Sequence, residues 1–449
     1  MKNVLLFIAL SCGLLLAHCA TGQSWVTVGT SGFSPGIVQN TGIVCNASGV
    51  PYVVYKDVAN YSKATVMKYN GSIWTPIGYA AFSAGAVDYP SLTMDKKGAP
   101  YVVYKDLDSS GKATVMKYND TSWVVVGNRG FSGPNVNFTK IAMDTAGLPY
   151  VVFQDSTDTF KAYCMRYDGS SWTIVGNAAV SIGKAENTGI AIDMNNMPYV
   201  VYTDSADTAR ATVMSYNGSN WVTVGIQGFS GGPAFQPSLA LGTDGLPYVV
   251  YEDGAHGDKA SVMKYNGTVW GYIGYPAFTP GITFLNSIAL DAYNMPYVIY
   301  TDNEAGNKAT VMHYNGTTWD TVGNIGFSTG LAVWPSITLD KNGTVYAAYQ
   351  DGADFSKATV KRFGPPAYTL VNNINTPAYI SVFPNPAQKE LTVASAAPVT
   401  SLVITNAMGQ ALYTFNGSSQ EIRIDVSALP TGVYLLRANG AQVSKFVKE

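Results

Sequence analysis

The sequence predicts an all-β fold, a β-propeller of seven four-stranded blades, and three observations carry that expectation. Tryptophan recurs every 49 residues at Trp25, Trp74, Trp123, Trp172, Trp221, Trp270 and Trp319, and aspartate keeps the same step from Asp57 to Asp351, with no insertion or deletion. Each copy holds four short runs rich in β-branched and aromatic residues, separated by turn residues. The array opens on one lone strand, 25–29, and stops near Phe363 with a copy lacking that strand. A period of this size is the mark of stacked repeats. Its one-strand offset is what a ring needs, because joining the ends removes an exposed edge.

In chain order, residues 1–22 read as a signal peptide. Lys2 supplies the positive start, an apolar stretch runs from Val4 to Ala17, and Ala20-Thr21-Gly22 offers a small-residue cleavage site. The stretch is too short to span a membrane comfortably, and no later one qualifies. A lipoprotein reading through Cys19 ranks second, because His18 precedes it.

The propeller is expected over 23–364, and one repeat unit over 91–127 shows its plan. SLTMD is strand A, YVVYKD strand B, KATVMKY strand C and WVVVG strand D. The A–B turn carries Gly49, Gly98, Gly147, Asn196, Gly245, Asn294 and Gly343 at one position, the residue types that tolerate positive φ. Tyr-Asn-Gly at the C–D turn is a hairpin signal. Strands B and C are apolar on both faces, so each sheet must sit between two others. Strand 25–29 is expected beside 357–363. Cys45 and Cys164 replace apolar residues in different copies and are expected as buried free thiols.

Gly364-Pro365-Pro366 ends the pattern, 365–379 reads as a linker, and a small antiparallel β-sandwich is expected over 380–449. Its opening Phe383-Pro384-Asn385-Pro386, then Asn406-Ala407-Met408-Gly409-Gln410, Leu429-Pro430-Thr431-Gly432-Val433-Tyr434 and the terminal Lys445-Phe446-Val447-Lys448-Glu449 stand in one order. In those residues the tail resembles the type IX (Por) C-terminal sorting domain. The resemblance implies that 380–449 engages the type IX secretion machinery. It also implies that the protein is released or attached at the outer-membrane surface. The propeller region resembles kelch repeats only generically, in unit length and in its Tyr-Asn-Gly-x-x-Trp runs, and brings no chemistry with it.

The composition narrows the function. Charged residues are 12% and the formal net charge is −2, so no basic field exists to hold nucleic acid. Beyond the leader only His256 and His313 remain, neither in a catalytic or metal-binding motif. No catalytic residues, metal or cofactor are expected. The acids Asp88, Glu186, Glu252 and Glu304 lie on loops where a glycosidase pair could form. The seven repeated aspartates each precede a Lys or Arg by six residues, which reads as a cross-strand ion pair rather than a ring of cation sites.

Two sets of aromatic residues are binding candidates. Phe33, Phe82, Phe131, Phe229, Phe278 and Phe327 recur on the D–A loops, where an inter-blade plug competes with a sugar platform. The position just before strand A reads Asn40, Tyr89, Phe138, Asn187, Gln236, Leu285 and Trp334. Tyr89, Phe138 and Trp334 are its aromatic members, on the face that carries the longer B–C loops. The expected function is a secreted or surface-attached module for binding or adhesion, with a glycan, peptide or matrix ligand. A polysaccharide hydrolase or lyase is the alternative, and a structural surface component the second alternative.

Overall fold

The computed structural model describes residues 24–364, 380–406, 410–438 and 442–449. The expected signal peptide, 1–22, and linker, 365–379, lie outside the described residues. The described residues fall into two compact units on either side of residue 367, and each is treated by itself.

The first unit is seven four-stranded antiparallel sheets. The second sheet is typical, with strands Val87–Met94, Pro100–Asp106, Lys112–Tyr118 and Trp123–Val125 in sequence order from the inside out. The apolar runs behave as a doubly covered sheet requires: Tyr101, Val102, Val103 and Tyr104 are all buried, although they alternate faces. At the A–B turn the position held by Gly or Asn is left-handed in every copy, from φ 63° at Asn294 to φ 83° at Gly98. Strands Val38–Cys45, Val87–Met94, Val136–Met143, Ala185–Ile192, Ala234–Leu241, Thr283–Leu290 and Ala332–Leu339 each pack on the next, and the last packs on the first. That cyclic order makes the seven sheets a closed propeller.

Closure is made by strand exchange between the ends. Val26 and Thr27 pair antiparallel with Arg362 and Lys361, and Val28 N donates to Val360 O at 2.9 Å. The seventh sheet therefore takes its outermost strand from the start of the array. Each tryptophan then clips its sheet to the preceding one through its indole N–H. Trp74 Nε1 donates to Val28 O at 2.7 Å and Trp123 to Ile77 O at 2.9 Å. Across the closure, Trp25 donates to Val322 O at 2.8 Å. The glycine beyond each outer strand makes room for that clip. At Gly78 (φ +67°) a Cβ would stand 3.0 Å from the Tyr118 ring and 3.4 Å from Trp123.

The expected Asp–Lys ion pairs do not form. Asp57 stands opposite Lys63 in register, yet among the described residues neither this pair nor its six equivalents closes to an ion pair. Six of the seven carboxylates are buried, with Asp155 half-buried, and they take short donors instead. Asp57 accepts from Thr65 Oγ1 at 3.0 Å and from Asn60 Nδ2 at 2.8 Å, and Asp106 from Thr114 Oγ1 at 3.0 Å and from the Arg129 guanidinium at 2.6 and 2.9 Å. A hydroxyl reaches a buried carboxylate without bringing a second charge out of water, which a lysine at that position would have to do.

The second unit, 380–449, joins strands Ile380–Phe383, Glu390–Thr405, Ala411–Asp425, Gly432–Ala438 and Gln442–Lys448 in one antiparallel sheet. Two runs of the sequence, LTVAS and SLVITN, form a single strand interrupted by irregular register between Ala394 and Val399. Leu391, Val393, Leu402, Ile404, Ile422, Ile424, Leu436 and Phe446 bury one core between them. Among the described residues no helix is long and apolar enough to cross a membrane.

Candidate functional site

The innermost strands enclose a central channel of about 590 Å3. A repeated irregularity of strand A shapes its wall. In the first sheet the register runs Gln39 opposite Lys56, then Gly42 opposite Val54, so strand A carries one extra residue, a β-bulge. The same shift recurs in the other six sheets. The bulged residues are Asn40, Tyr89, Phe138, Asn187, Gln236, Leu285 and Trp334, all left-handed with φ between 48 and 57° and all half-buried in the channel wall. Tyr89, Phe138 and Trp334 thus lie within strand A rather than before it.

This ring contrasts with the A–B turns, where the left-handed position holds only Gly or Asn, and is matched in the B–C loops, where ordinary residues such as Tyr61, Thr159 and Phe355 are left-handed as well. A left-handed backbone costs an ordinary side chain about 1–2 kcal/mol, and five of the seven bulge residues are ordinary in that sense. Strain of this kind gathers where a side chain serves something besides the backbone. The ring is also unequal. Trp334, Asn40, Tyr89 and Phe138 follow one another around it, and the rings of Tyr89 and Phe138 lie 5.2 Å apart. Asn187, Gln236 and Leu285 form the opposite arc.

Hydroxyls lock this ring from sheet to sheet. Thr139 Oγ1 donates to Tyr89 O at 2.6 Å, Thr188 Oγ1 to Phe138 O at 2.7 Å, and Thr41 Oγ1 to Trp334 O. Proline takes the threonine position at Pro90, Pro237 and Pro335, and Asn286 takes it once, with both polar atoms of its buried amide unpartnered. Two residues beyond the bulge the wall reads Gly42, Ser91, Lys140, Gly189, Ser238, Ser287 and Ser336. Lys140 is the one charged side chain among the lining residues.

Strand register fixes which end of the channel has the longer loops. Val38 pairs with Asp57, which pairs with Lys63, so the start of strand A and the B–C loop share one end. That end carries Phe235 and Phe284 beside the bulges, each about two-fifths exposed, and Tyr61 and Phe355 at loop tips, 86% and 83% exposed.

The six D–A loop phenylalanines do not face the channel. Phe82 stacks on Trp123 at 3.9 Å, and Phe131, Phe229, Phe278 and Phe327 stack likewise at 3.9–4.0 Å, with Phe33 on Trp74 at 4.4 Å. Phe82, Phe229, Phe278 and Phe327 are buried, and Phe33 and Phe131 are half-buried against the same cores. A ring sandwiched between sheets offers no face to a ligand.

The titratable candidates are dispersed. Asp88 pairs with Lys56 at 2.6 Å and Glu186 with Lys184 at 2.6 Å. Glu252 is buried and accepts from Leu285 N at 3.0 Å, and burial pushes its carboxyl up to about 7. His256 lies 2.9 Å from Asp253 in a B–C loop, whereas His313 stacks on Tyr297 at the far end of its sheet. Among the described residues no group of three or more His, Cys, Asp or Glu gathers. Burial pushes the thiols of Cys45 and Cys164 up, away from thiolate chemistry.

By its architecture the chain is a β-propeller protein with an appended β-sheet unit. Residues 381–449 are that unit's identity: they match the secretion system C-terminal sorting domain. The protein is therefore one sorted for secretion or for attachment at the outer-membrane surface. No curated protein matches the chain in sequence. Among solved structures it is similar to a polysaccharide lyase, an ulvan lyase, at 14% identity over 75% of this chain and 95% of that one, with a TM-score of 0.49. It is also similar to PorZ of Porphyromonas gingivalis, a surface component of the type IX secretion system, at 12% identity over 89% and 58%, with a TM-score of 0.45. The Aleuria aurantia lectin is similar at 12% identity over 65% and 96%, with a TM-score of 0.45. These are likenesses of fold and nothing finer.

Proposed function

We propose that the propeller is an extracellular binding module that holds a glycan at the loop-bearing end of its central channel. One observation carries the reading: Trp334, Tyr89 and Phe138 are kept at left-handed positions where Asn or Gly would relieve the backbone. Flat aromatic faces on one arc, with the amide of Asn40 among them and those of Asn187 and Gln236 opposite, suit a ring with apolar faces and hydroxylated edges. The test replaces Trp334 and Tyr89 by asparagine, the residue already present at two ring positions. Trp334→Asn and Tyr89→Asn should fold at least as stably as the natural chain and lose about tenfold or more in glycan affinity. Unchanged affinity in both, measured by titration calorimetry, would remove the channel from the binding site.

A polysaccharide hydrolase or lyase has one feature in its favour, the buried Glu252 carboxyl, which loss of water pushes up to about 7. Against it, Glu252 is not among the channel-lining residues. Product release from polysaccharides at pH 7, abolished by Glu252→Gln, would decide for that reading.

A further inference from the structure

We infer that Lys140 makes the channel selective for acidic saccharides, receiving the carboxylate or sulfate of a sugar whose ring lies against the aromatic arc. The inference rests on the glycan-binding reading above and adds the charge of the ligand. Around the ring, six equivalents of Lys140 are Gly or Ser, so this is the one place where the wall departs from small, neutral side chains to a long cation. The side chain is water-accessible within the channel, yet no carboxylate answers it, and it makes no hydrogen bond or ion pair among the described residues. Enclosure by the sheets lowers its pKa. An ammonium in a walled channel, reached by water and by no carboxylate of the protein, is a ready anion partner.

Lys140 stands two residues from Phe138 on one strand, in the sheet that follows Tyr89. A ring lying on the Tyr89–Phe138 pair therefore has the ammonium as a neighbour. A saccharide suits the rest of the wall better than an acidic peptide. Hydroxyls and amides line it, and a single cation matches one charge on the inserted residue rather than a run of them.

The experiment uses the mature full chain and titration calorimetry. The probes are oligogalacturonide, the carboxyl-reduced oligosaccharide of equal length, a sulfated galactan oligosaccharide and an oligoglutamate peptide. The natural chain should bind at least one acidic saccharide about 10- to 100-fold more tightly than the neutral one, the worth of a charge-assisted hydrogen bond. Lys140→Ser, which restores the residue of four equivalent positions, should erase that preference, and Lys140→Arg should keep most of it. The galacturonide and sulfated arms distinguish carboxylate from sulfate. Equal binding of acidic and neutral sugars by the natural chain, or an acidic preference that survives Lys140→Ser, overturns the role of Lys140 and leaves the channel reading standing. Lys140-dependent capture of oligoglutamate without any saccharide overturns the saccharide class. Saccharide binding indifferent to Trp334→Asn and Tyr89→Asn, or no saccharide binding at all, overturns the channel reading itself.

Discussion

Removing residues 24–30 tests whether the ring depends on its exchanged strand. Trp25 is half-buried, stacks on Phe327 at 3.9 Å and donates to Val322 O at 2.8 Å. Truncating a buried tryptophan costs about 3–5 kcal/mol, and half burial puts Trp25 at the lower end. The deletion also takes away the strand pairing of Val26 and Thr27 and the bond from Val28 N to Val360 O, at about 1 kcal/mol for each main-chain bond. The loss is about 5 kcal/mol, a large part of the net stability of a typical domain. With an unfolding entropy of about 2.1 cal/mol/K per residue, the melting temperature should fall by about 7 °C. Calorimetry on the mature chain with and without 24–30 measures this. Trp123→Ala is the control, because Trp123 makes the same stack and the same indole bond inside the array. Trp123 is buried, so its loss should cost about 4–5 kcal/mol and leave the unfolding cooperative. The deletion, by contrast, bares the edge of strand 357–363, where limited proteolysis should begin. A melting temperature within about 2 °C of the natural chain's would refute closure as a source of stability.

Asn286→Thr should raise stability by about 1 kcal/mol in urea unfolding, because threonine at the equivalent positions 41, 139 and 188 bonds to the neighbouring bulge carbonyl and Asn286 bonds to nothing. Glu252 gives a pH dependence of definite sign. Its folded pKa, about 7, lies above the ordinary 4.5, so the folded state holds the proton more tightly than the unfolded one. Its contribution is therefore favourable below about 4.5 and is lost as pH rises to about 7, by roughly 3 kcal/mol at most. Glu252→Gln should flatten that slope and raise the melting temperature at pH 8, since Gln154 and Gln350 occupy the same position and donate to the next sheet. A slope unaltered by the substitution would assign the titration elsewhere. Phe82→Ala should cost about 3 kcal/mol of stability while leaving ligand affinity as it was, and a loss of affinity in the folded variant would return the D–A loop phenylalanines to the site.

The fold was legible because the repeat is strict. Tryptophan and aspartate at constant spacing fixed the number of sheets, the turn residues fixed their hairpins, and the orphan strand at 25–29 announced the closure that its pairing with 357–363 displays. What the spacing could not reveal was where side chains point within a regular pattern. Asp57 and Lys63 are opposite in register, as their separation implies, but the carboxylate turns to Thr65, two residues further along strand C. Sequence distance reports neighbours along a ladder. The choice between a hydroxyl and an ammonium is made by desolvation, which depends on the sheet packed above.

The site was legible in one tier and missed in the next, for a related reason. The bulge position varies from asparagine to tryptophan and so shows in the sequence as a break in symmetry. Its left-handed backbone does not, because bulges leave no turn residue as a signature when aromatic side chains fill them. Lys140 left a plainer mark: aligned at 49 residues, its column reads Gly, Ser, Lys, Gly, Ser, Ser, Ser. Read along the chain it is an ordinary lysine in a strand, exposed and two residues from Phe138, where a solvated charge is the usual reading. Only the closed ring turns that exposed position into the interior of a channel. In a propeller the inner edge of strand A belongs to no sheet's core and no outer surface, so the ordinary link between charge and solvent fails there. The residues that distinguish one seven-bladed ring from another are accordingly those whose columns tolerate Gly and Ser in most copies and depart from them once.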